Sequence, residues 1–230
     1  MIRAIIFDVD GTLIDSVDCH ADAWQRALTK FGKTVSFEEV RMQIGKGGDQ
    51  LLPVFFDQDE IEKVEEPLTE YRAELFKKEY LGRLVAFPGG RELIQRLQAD
   101  GKRVALASSA TGDELEVYKK IARIDDLIEA ETSKDDASKS KPHPDIFQAA
   151  LKKLGNPKAE DCLVVGDTPY DIEAAAKAGV RTIAVRSGGF PEETLKDALA
   201  IYDGLADLLE HYGTSPLVEH DSDQNITGGH

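Results

Sequence analysis

The fold is decided by residues 2–15, which read IRAIIFDVDGTLID. The apolar run from Ala4 to Phe7 has the length and the β-branched content of a buried β-strand. The run ends on two carboxylates, Asp8 and Asp10, which are separated by one residue and followed by a glycine. Open parallel α/β sheets bind their ligands beyond the carboxyl ends of their strands. We therefore expect both acids to face one small ligand site.

Asp8 and Asp10 should repel each other. At an effective dielectric constant of ~20, two like charges ~4 Å apart cost on the order of 4 kcal/mol. A chain keeps such a pair where a cation, a proton or a basic side chain lies between the two groups. A solvated turn is the alternative interpretation, because Asp and Gly are common turn residues.

Length and composition restrict the class of protein. The chain has 230 residues, of which 41% are hydrophobic and 31% are charged, as in soluble globular proteins. A net charge of −15 argues against binding to nucleic acid or to an anionic membrane surface. Cys19 and Cys162 are too few for a disulfide framework, and no apolar stretch approaches the ~18 residues of a membrane span. We expect a cytoplasmic protein, a monomer or a weak homodimer, whose partner is a small molecule.

Residues 16–84 show no strand pattern. Apolar residues recur at helical spacing over residues 16–31. Residues 59–80 read as one long charged helix, in which Pro67 predicts a kink or a break. The sequence therefore predicts an inserted, all-helical cap domain over residues 16–87.

From residue 88 onwards, strand patterns alternate with helix patterns, which predicts βαβ units. The expected fold class is α/β: a Rossmann-like parallel sheet covered by helices on both faces, with the helical cap inserted after the first strand. This core would comprise residues 1–15 and 88–212, and residues 213–230 would form a flexible C-terminal tail. The predicted later strands are Arg103–Ala107, a short strand near Leu127–Ala130, Asp161–Val165 and Arg181–Val185.

Polar side chains follow each later strand of the predicted sheet. Ser108 and Ser109 could hold an anion with their hydroxyl and backbone N–H groups, although serine clusters are also ordinary helix N-caps. The loop at residues 139–144 offers a lysine as a counter-charge, and Asp167 and Asp171 follow the next strand. Oxygen ligands without a histidine or thiol cluster favour Mg²⁺ over zinc. Carboxylates, a divalent cation and a lysine around one point suit a phosphoryl group.

Four segments resemble the motifs of the haloacid dehalogenase superfamily, in the same order along the chain. The resemblance covers about residues 1–212, and the helical insert resembles the cap of phosphoglycolate phosphatases and β-phosphoglucomutases. The four segments are Asp8–Leu13, Ser108, Lys141-Pro142 and Gly166–Asp171.

The resemblance implies a role for each motif residue. Asp8 would be the nucleophile that forms an aspartyl-phosphate. Asp10 would protonate the leaving oxygen and then activate water. Ser108 would bind the phosphoryl oxygens, with Ser109 beside it, and Lys141 would neutralise both the phosphoryl group and Asp8.

The resemblance also implies a Mg²⁺ site. Its ligands would be Asp8, the Asp10 carbonyl and Asp167, with Asp171 as a further ligand or a close neighbour. The presence of Asp10 matters for the reaction class, because the dehalogenases of the superfamily lack this second aspartate. The sequence is therefore typical of phosphoryl transfer.

Substrate specificity is expected to come from the cap. His20 and Lys46 are candidates for substrate contact, although a lysine in such a turn is more often solvated, and Trp24 is expected in the cap core. Mutases of this type carry a cap arginine near the position of Gly48, and its absence weakens the mutase interpretation.

We therefore expect a Mg²⁺-dependent phosphatase of a small phosphorylated metabolite, with phosphoglycolate or a sugar phosphate as the first candidates. A β-phosphoglucomutase-like phosphomutase is the alternative. A receiver-type phospho-accepting signalling domain is a third interpretation, and the helical insert counts against it.

Overall fold

The computed structural model describes residues 1–218. Its core is a six-stranded parallel sheet in the order β5-β4-β1-β6-β7-β8. The strands are β1 (Ala4–Phe7), β4 (Arg103–Ala107), β5 (Ala130–Thr132), β6 (Cys162–Gly166), β7 (Arg181–Val185) and β8 (Ala200–Tyr202), and a separate ribbon pairs β2 (Ile14–Asp15) with β3 (Val85–Ala86).

Helices cover the sheet and build the cap. The cap contains α1 (Val17–Lys30), α2 (Phe37–Arg41), α3 (Gly48–Phe55) and α4 (Gln58–Glu79). The remaining helices are α5 (Gly90–Ala99), α6 (Gly112–Ala122), α7 (Asp145–Lys153), α8 (Pro169–Lys177) and α9 (Leu205–Glu210). Within residues 1–218, no helix is long and apolar enough to cross a membrane.

Alternate residues of β1 face opposite sides of the sheet, so the strand is buried on both faces, as predicted. Ile5 and Phe7 belong to one apolar cluster, which α5, α6 and α9 cover. Ala4 and Ile6 belong to the other cluster, which α7 and α8 cover. This central position of β1 directs the acids that follow it to the middle of the carboxyl edge of the sheet.

The cap has an apolar core of its own, which includes Trp24, Leu28, Leu51 and Leu68. Antiparallel β2 and β3 pair where the chain enters and leaves the cap. A ribbon of two residues per strand gives too short a pattern to be predicted from sequence. The ribbon pairs the two chain segments that connect the core to the cap, and it therefore anchors the cap over the carboxyl edge of the sheet.

Three details differ from the sequence-based expectations. Helix α4 continues through Pro67, which is exposed, so the carbonyl that loses its donor can face water. The third sheet strand lies at Ala130–Thr132 rather than near residues 127–130, and β8 was not predicted because three half-buried edge residues leave no alternating pattern. Leu217 is fully buried in the core, although the flexible tail was expected from residue 213. Residues 219–230 of that predicted tail lie outside the described residues.

Candidate active site

The turn after β1 brings the chain against a second acidic segment. Asp8 is only 6% exposed. Gly11 has a φ of +82° and thus adopts the left-handed conformation that favours glycine. A Cβ atom on Gly11 or on Gly188 would collide with the Asp167 carboxylate. The two glycines therefore let backbone approach Asp167 closely from two sides.

Three buried carboxylates meet at the carboxyl ends of β1 and β6. Oxygen atoms of Asp8, Asp167 and Asp171 all lie within 4.8 Å of one another. The Thr12 hydroxyl donates to Asp167 Oδ1 at 2.9 Å, and the backbone N–H and hydroxyl of Thr168 donate to Asp171 Oδ2 at 3.1 and 2.7 Å. Asp167 Oδ2 is buried and, among the described residues, has no hydrogen-bond partner.

Lys141 is the cation of this cluster and is itself 1% exposed. Its Nζ donates to Asp8 Oδ1 and lies 2.7 Å from Asp171 Oδ1. Burial opposes the charged form, but the neighbouring Asp171 and Asp8 carboxylates outweigh it and raise the pKa of Lys141. The lysine therefore stays protonated between the two acids.

One ammonium does not neutralise three carboxylates. Burial raises the pKa of Asp8 to about 7, with Lys141 opposing the change and the charges of Asp171 and Asp10 adding to it. Burial, followed by the charges of Asp8 and Asp171, likewise raises the pKa of Asp167. The excess negative charge and the unpartnered oxygen of Asp167 are what a divalent metal ion would neutralise and bind. Asp8, Asp167 and Asp171 would hold such an ion.

The Asp10 side chain lies outside this acidic cluster. Its Oδ1 accepts hydrogen bonds from Ser16 Oγ at 2.6 Å and from His20 Nε2 at 2.9 Å. Burial opposes ionisation, but the interactions with His20 and the hydrogen bond from Ser16 outweigh it and lower the pKa of Asp10. The expected repulsion between Asp8 and Asp10 is offset only in part: each carboxylate has partners of its own, but the charge of Asp10 still contributes to the raised pKa of Asp8. The metal contact expected of Asp10 involves its backbone carbonyl and stays a prediction.

The two serines after β4 are not equivalent. Ser108 is fully buried, and its Oγ accepts a hydrogen bond from the Ala110 N–H at 3.0 Å. Ser109 lines the cavity between cap and core. A phosphate-binding role for either serine stays a prediction.

A cavity of about 360 Å³ separates the cap from the carboxyl edge of the sheet. It brings together residues from both domains: Asp8, Asp10 and Ser109 from the core, and His20, Lys46 and Arg72 from the cap. Lys46 Nζ donates to Gln43 Oε1 at 2.6 Å and lies 4.7 Å from the centre of the Tyr170 ring. Trp24 belongs to the cap core, as expected, and also forms part of the cavity wall.

Arg72 also lines the cavity, although the sequence pattern does not single it out. Its guanidinium donates to His20 Nδ1 and lies 5.3 Å from the Trp24 ring centre and 4.9 Å from the Phe76 ring centre. A signal was available, because Arg72 falls four residues after Leu68 and four before Phe76, on the buried side of α4. An arginine on an apolar helix stripe indicates a buried anionic or polar partner.

Hydrogen bonds tie the cap to the core beside the cavity. The Ser140 N–H donates to Asp49 Oδ2 at 3.1 Å, immediately before Lys141. The Tyr170 hydroxyl donates to the Met42 carbonyl at 2.6 Å. The cap is therefore closed on the core in this structure.

Known proteins share this sequence pattern and fold. The model of the haloacid dehalogenase-like hydrolases matches residues 5–185. The chain is 32% identical over 213 residues to pyrophosphatase PpaX of Bacillus anthracis, an alignment that covers 90% of this chain and 95% of that protein. A hydrolase from Pseudomonas syringae has a TM-score of 0.82 at 31% identity and covers 92% of this chain and 98% of its own.

A third relative was crystallised with a ligand. CbbY from Rhodobacter sphaeroides, as a variant in complex with xylulose-1,5-bisphosphate, has a TM-score of 0.70 at 26% identity over 90% of this chain and 96% of its own. The inserted cap and these matches do not fit a receiver-type signalling domain. Because the family match extends from β1 to β7, the chain is an enzyme that belongs to the haloacid dehalogenase-like hydrolases.

Proposed function

We propose that the protein is a Mg²⁺-dependent phosphatase that hydrolyses a small phosphorylated metabolite through an aspartyl-phosphate. The observation that carries the proposal is the position of Lys141, which lies between Asp8 and Asp171 in a buried site that opens on the cap cavity. A lysine there can neutralise a phosphoryl group and keep Asp8 ionised as a nucleophile.

In the first step, an Asp8 carboxylate oxygen attacks phosphorus and the bond from phosphorus to the ester oxygen breaks. Asp10, which is ionised in the free protein, takes up a proton from solvent as the anionic substrate binds and gives that proton to the departing oxygen, so the product leaves as an alcohol. Lys141 balances charge on the phosphoryl oxygens, assisted in this proposal by Ser108 and Ser109.

In the second step, water attacks the phosphorus of the aspartyl-phosphate, Asp10 accepts the proton, and Asp8 is released together with inorganic phosphate. A bound Mg²⁺, held by Asp8, Asp167, Asp171 and the Asp10 carbonyl, would neutralise phosphoryl charge throughout. Closure of the cap would keep bulk water away during the first step.

The size of the cavity supports a small substrate, and basic side chains in its wall, which also carries Asp49, Glu65 and Glu114, offer partners for a phosphate group. The cavity volume of about 360 Å³ lies in the range of small-molecule sites, and Arg72, Lys46 and Lys134 supply positive charge in its wall. The ligand of CbbY and the name of PpaX make sugar phosphates and pyrophosphate candidates beside phosphoglycolate. We further propose that the enzyme is cytoplasmic and a monomer or weak homodimer.

A phosphomutase is the second candidate, and one observation favours it. Gly48 stands where such mutases carry an arginine, but Arg72 brings a cap guanidinium to the cavity from another helix. A mutase would convert its substrate only after priming by a bisphosphate and would release little free phosphate.

The decisive experiment measures phosphate release from a panel of phosphoglycolate, hexose phosphates, pyrophosphate and nucleotides, with Mg²⁺ and with EDTA. We expect metal-dependent release by the wild type and by the exposed-site control Asp125→Asn, and none by Asp8→Asn. Absence of release by folded wild type in Mg²⁺ would refute the phosphatase, and a bisphosphate-primed isomerisation assay would then test the mutase.

A further inference from the structure

The ring of His20 is held on several sides. It stacks on Phe76 with 4.1 Å between ring centres and an angle of 7° between the ring planes. Arg72 contacts Nδ1, and a guanidinium can only donate hydrogen bonds. Nδ1 must therefore accept, so a neutral His20 carries its proton on Nε2 and donates it to Asp10 Oδ1, 2.9 Å away.

Tyr118 reaches the same nitrogen from the core. It lies on α6 and is 1% exposed, and its hydroxyl oxygen is 3.3 Å from His20 Nε2. Burial, followed by the negative charge of Asp10, raises the pKa of Tyr118, so the phenol stays protonated. The proton on His20 Nε2 points to Asp10, so the phenol oxygen of Tyr118 can only accept a weaker, shared hydrogen bond from the same N–H group. The hydroxyl proton of Tyr118 is then free to be donated to the neighbouring Asp10 carboxylate.

We propose that Tyr118 is a positioning residue for the Asp10–His20 pair. Its hydroxyl fixes the pair from the core side, while Arg72 fixes it from the cap side, and together they hold the Asp10 carboxyl toward the leaving oxygen. The inference rests on the proposed phosphatase function, because it assigns Asp10 the transfer of a proton to that oxygen.

A purely structural role is the competing explanation, because Tyr118 also belongs to the main apolar cluster. A buried tyrosine hydroxyl usually finds a hydrogen-bond partner whether or not it serves catalysis. The two explanations differ in one measurable respect. Loss of a positioned acid harms substrates with poor leaving groups most, whereas a general loss of packing harms all substrates alike.

The test compares Tyr118→Phe with Tyr80→Phe. Tyr80 belongs to the same apolar cluster, is 7% exposed, and its hydroxyl contacts Asp22 and Arg26 away from the cavity. The measured quantity is kcat/KM, which covers the steps up to departure of the leaving group. The substrates are p-nitrophenyl phosphate, whose leaving group needs no proton, and the best alkyl phosphate of the panel.

We expect Tyr118→Phe to lose about tenfold or more in kcat/KM on the alkyl phosphate and less than about threefold on p-nitrophenyl phosphate. Tyr80→Phe should retain both activities. Equal losses on the two substrates, or no loss, would overturn the inference while leaving the phosphatase intact. The inference would also be overturned if the wild-type enzyme hydrolysed no alkyl phosphate. If the wild type hydrolysed no phosphate compound at all, the proposed function itself would be refuted.

Nitrogen NMR of the His20 ring gives a readout that does not depend on activity. The Nε2 resonance should shift in Tyr118→Phe and stay in place in Tyr80→Phe, with thermal melts confirming that both variants are folded. An unshifted resonance in Tyr118→Phe would overturn the inference even if activity fell.

Discussion

Replacing Asp8 by Asn should stabilise the metal-free protein. Burial, together with the charges of Asp171 and Asp10, raises the pKa of Asp8 from 3.8 to about 7, against the opposing effect of Lys141. The neutral Asp8 carboxyl therefore makes its full contribution to the free energy of unfolding below pH ~4, and the protein loses this contribution as the pH rises through ~7. A change in pKa of this size corresponds to about 4 kcal/mol. Asn keeps the shape of the neutral carboxyl and cannot ionise.

The assay is unfolding of wild type, Asp8→Asn and the control Asp125→Asn in EDTA between pH 4 and 8.5. We expect Asp8→Asn to exceed wild type by up to about 4 kcal/mol at pH 8, or roughly 8–16 °C in Tm, and to match it near pH 4. Mg²⁺ at pH 8 should stabilise wild type more than Asp8→Asn, because the ion binds the ionised carboxylate. Equal or lower stability of Asp8→Asn at pH 8 in EDTA would refute the reasoning.

Further changes test the neighbours of Asp8. Lys141→Met leaves two buried carboxylates without their cation and should cost about 3–5 kcal/mol in urea unfolding at pH 8; a loss below about 1 kcal/mol would contradict the buried ion pairs. Arg72→Lys keeps the charge but changes the geometry at His20, and we expect kcat to fall about tenfold or more on alkyl phosphates. An unchanged kcat would show that the contact with His20 is incidental. Asp49→Asn weakens the hydrogen bond that Ser140 donates, so we expect limited proteolysis to cut the two segments that connect cap and core faster than in wild type. Equal cleavage rates would contradict closure of the cap through this bond.

The position of the site could be predicted because it follows from topology. Once Ala4–Phe7 is a central parallel strand, the groups at the carboxyl ends of β1, β4 and β6 must meet at one edge of the sheet. The short apolar runs, their glycine and proline boundaries and the acids after β1 and β6 are local signals. These local signals are sufficient to predict the α/β core and the acidic cluster.

The contacts between cap and core could not be predicted in the same way. The positions of Arg72 and Tyr118 at His20 depend on how α4 and α6 pack against α1, and no local pattern encodes that packing. The bond between Ser140 and Asp49 joins residues 91 positions apart across the domain boundary. Even the separate orientations of Asp8 and Asp10 depend on partners that the cap supplies through His20.

The central claim is that Asp8 becomes phosphorylated during turnover. Borohydride reduces an acyl phosphate to an alcohol, so it converts a phosphorylated aspartate into homoserine. We would quench the wild type during turnover of its best substrate, treat it with borohydride and locate homoserine by peptide mass spectrometry. The account predicts homoserine at position 8, dependent on both substrate and Mg²⁺ and missing from Asp8→Asn. Turnover with no homoserine, or with homoserine at another position only, would contradict it.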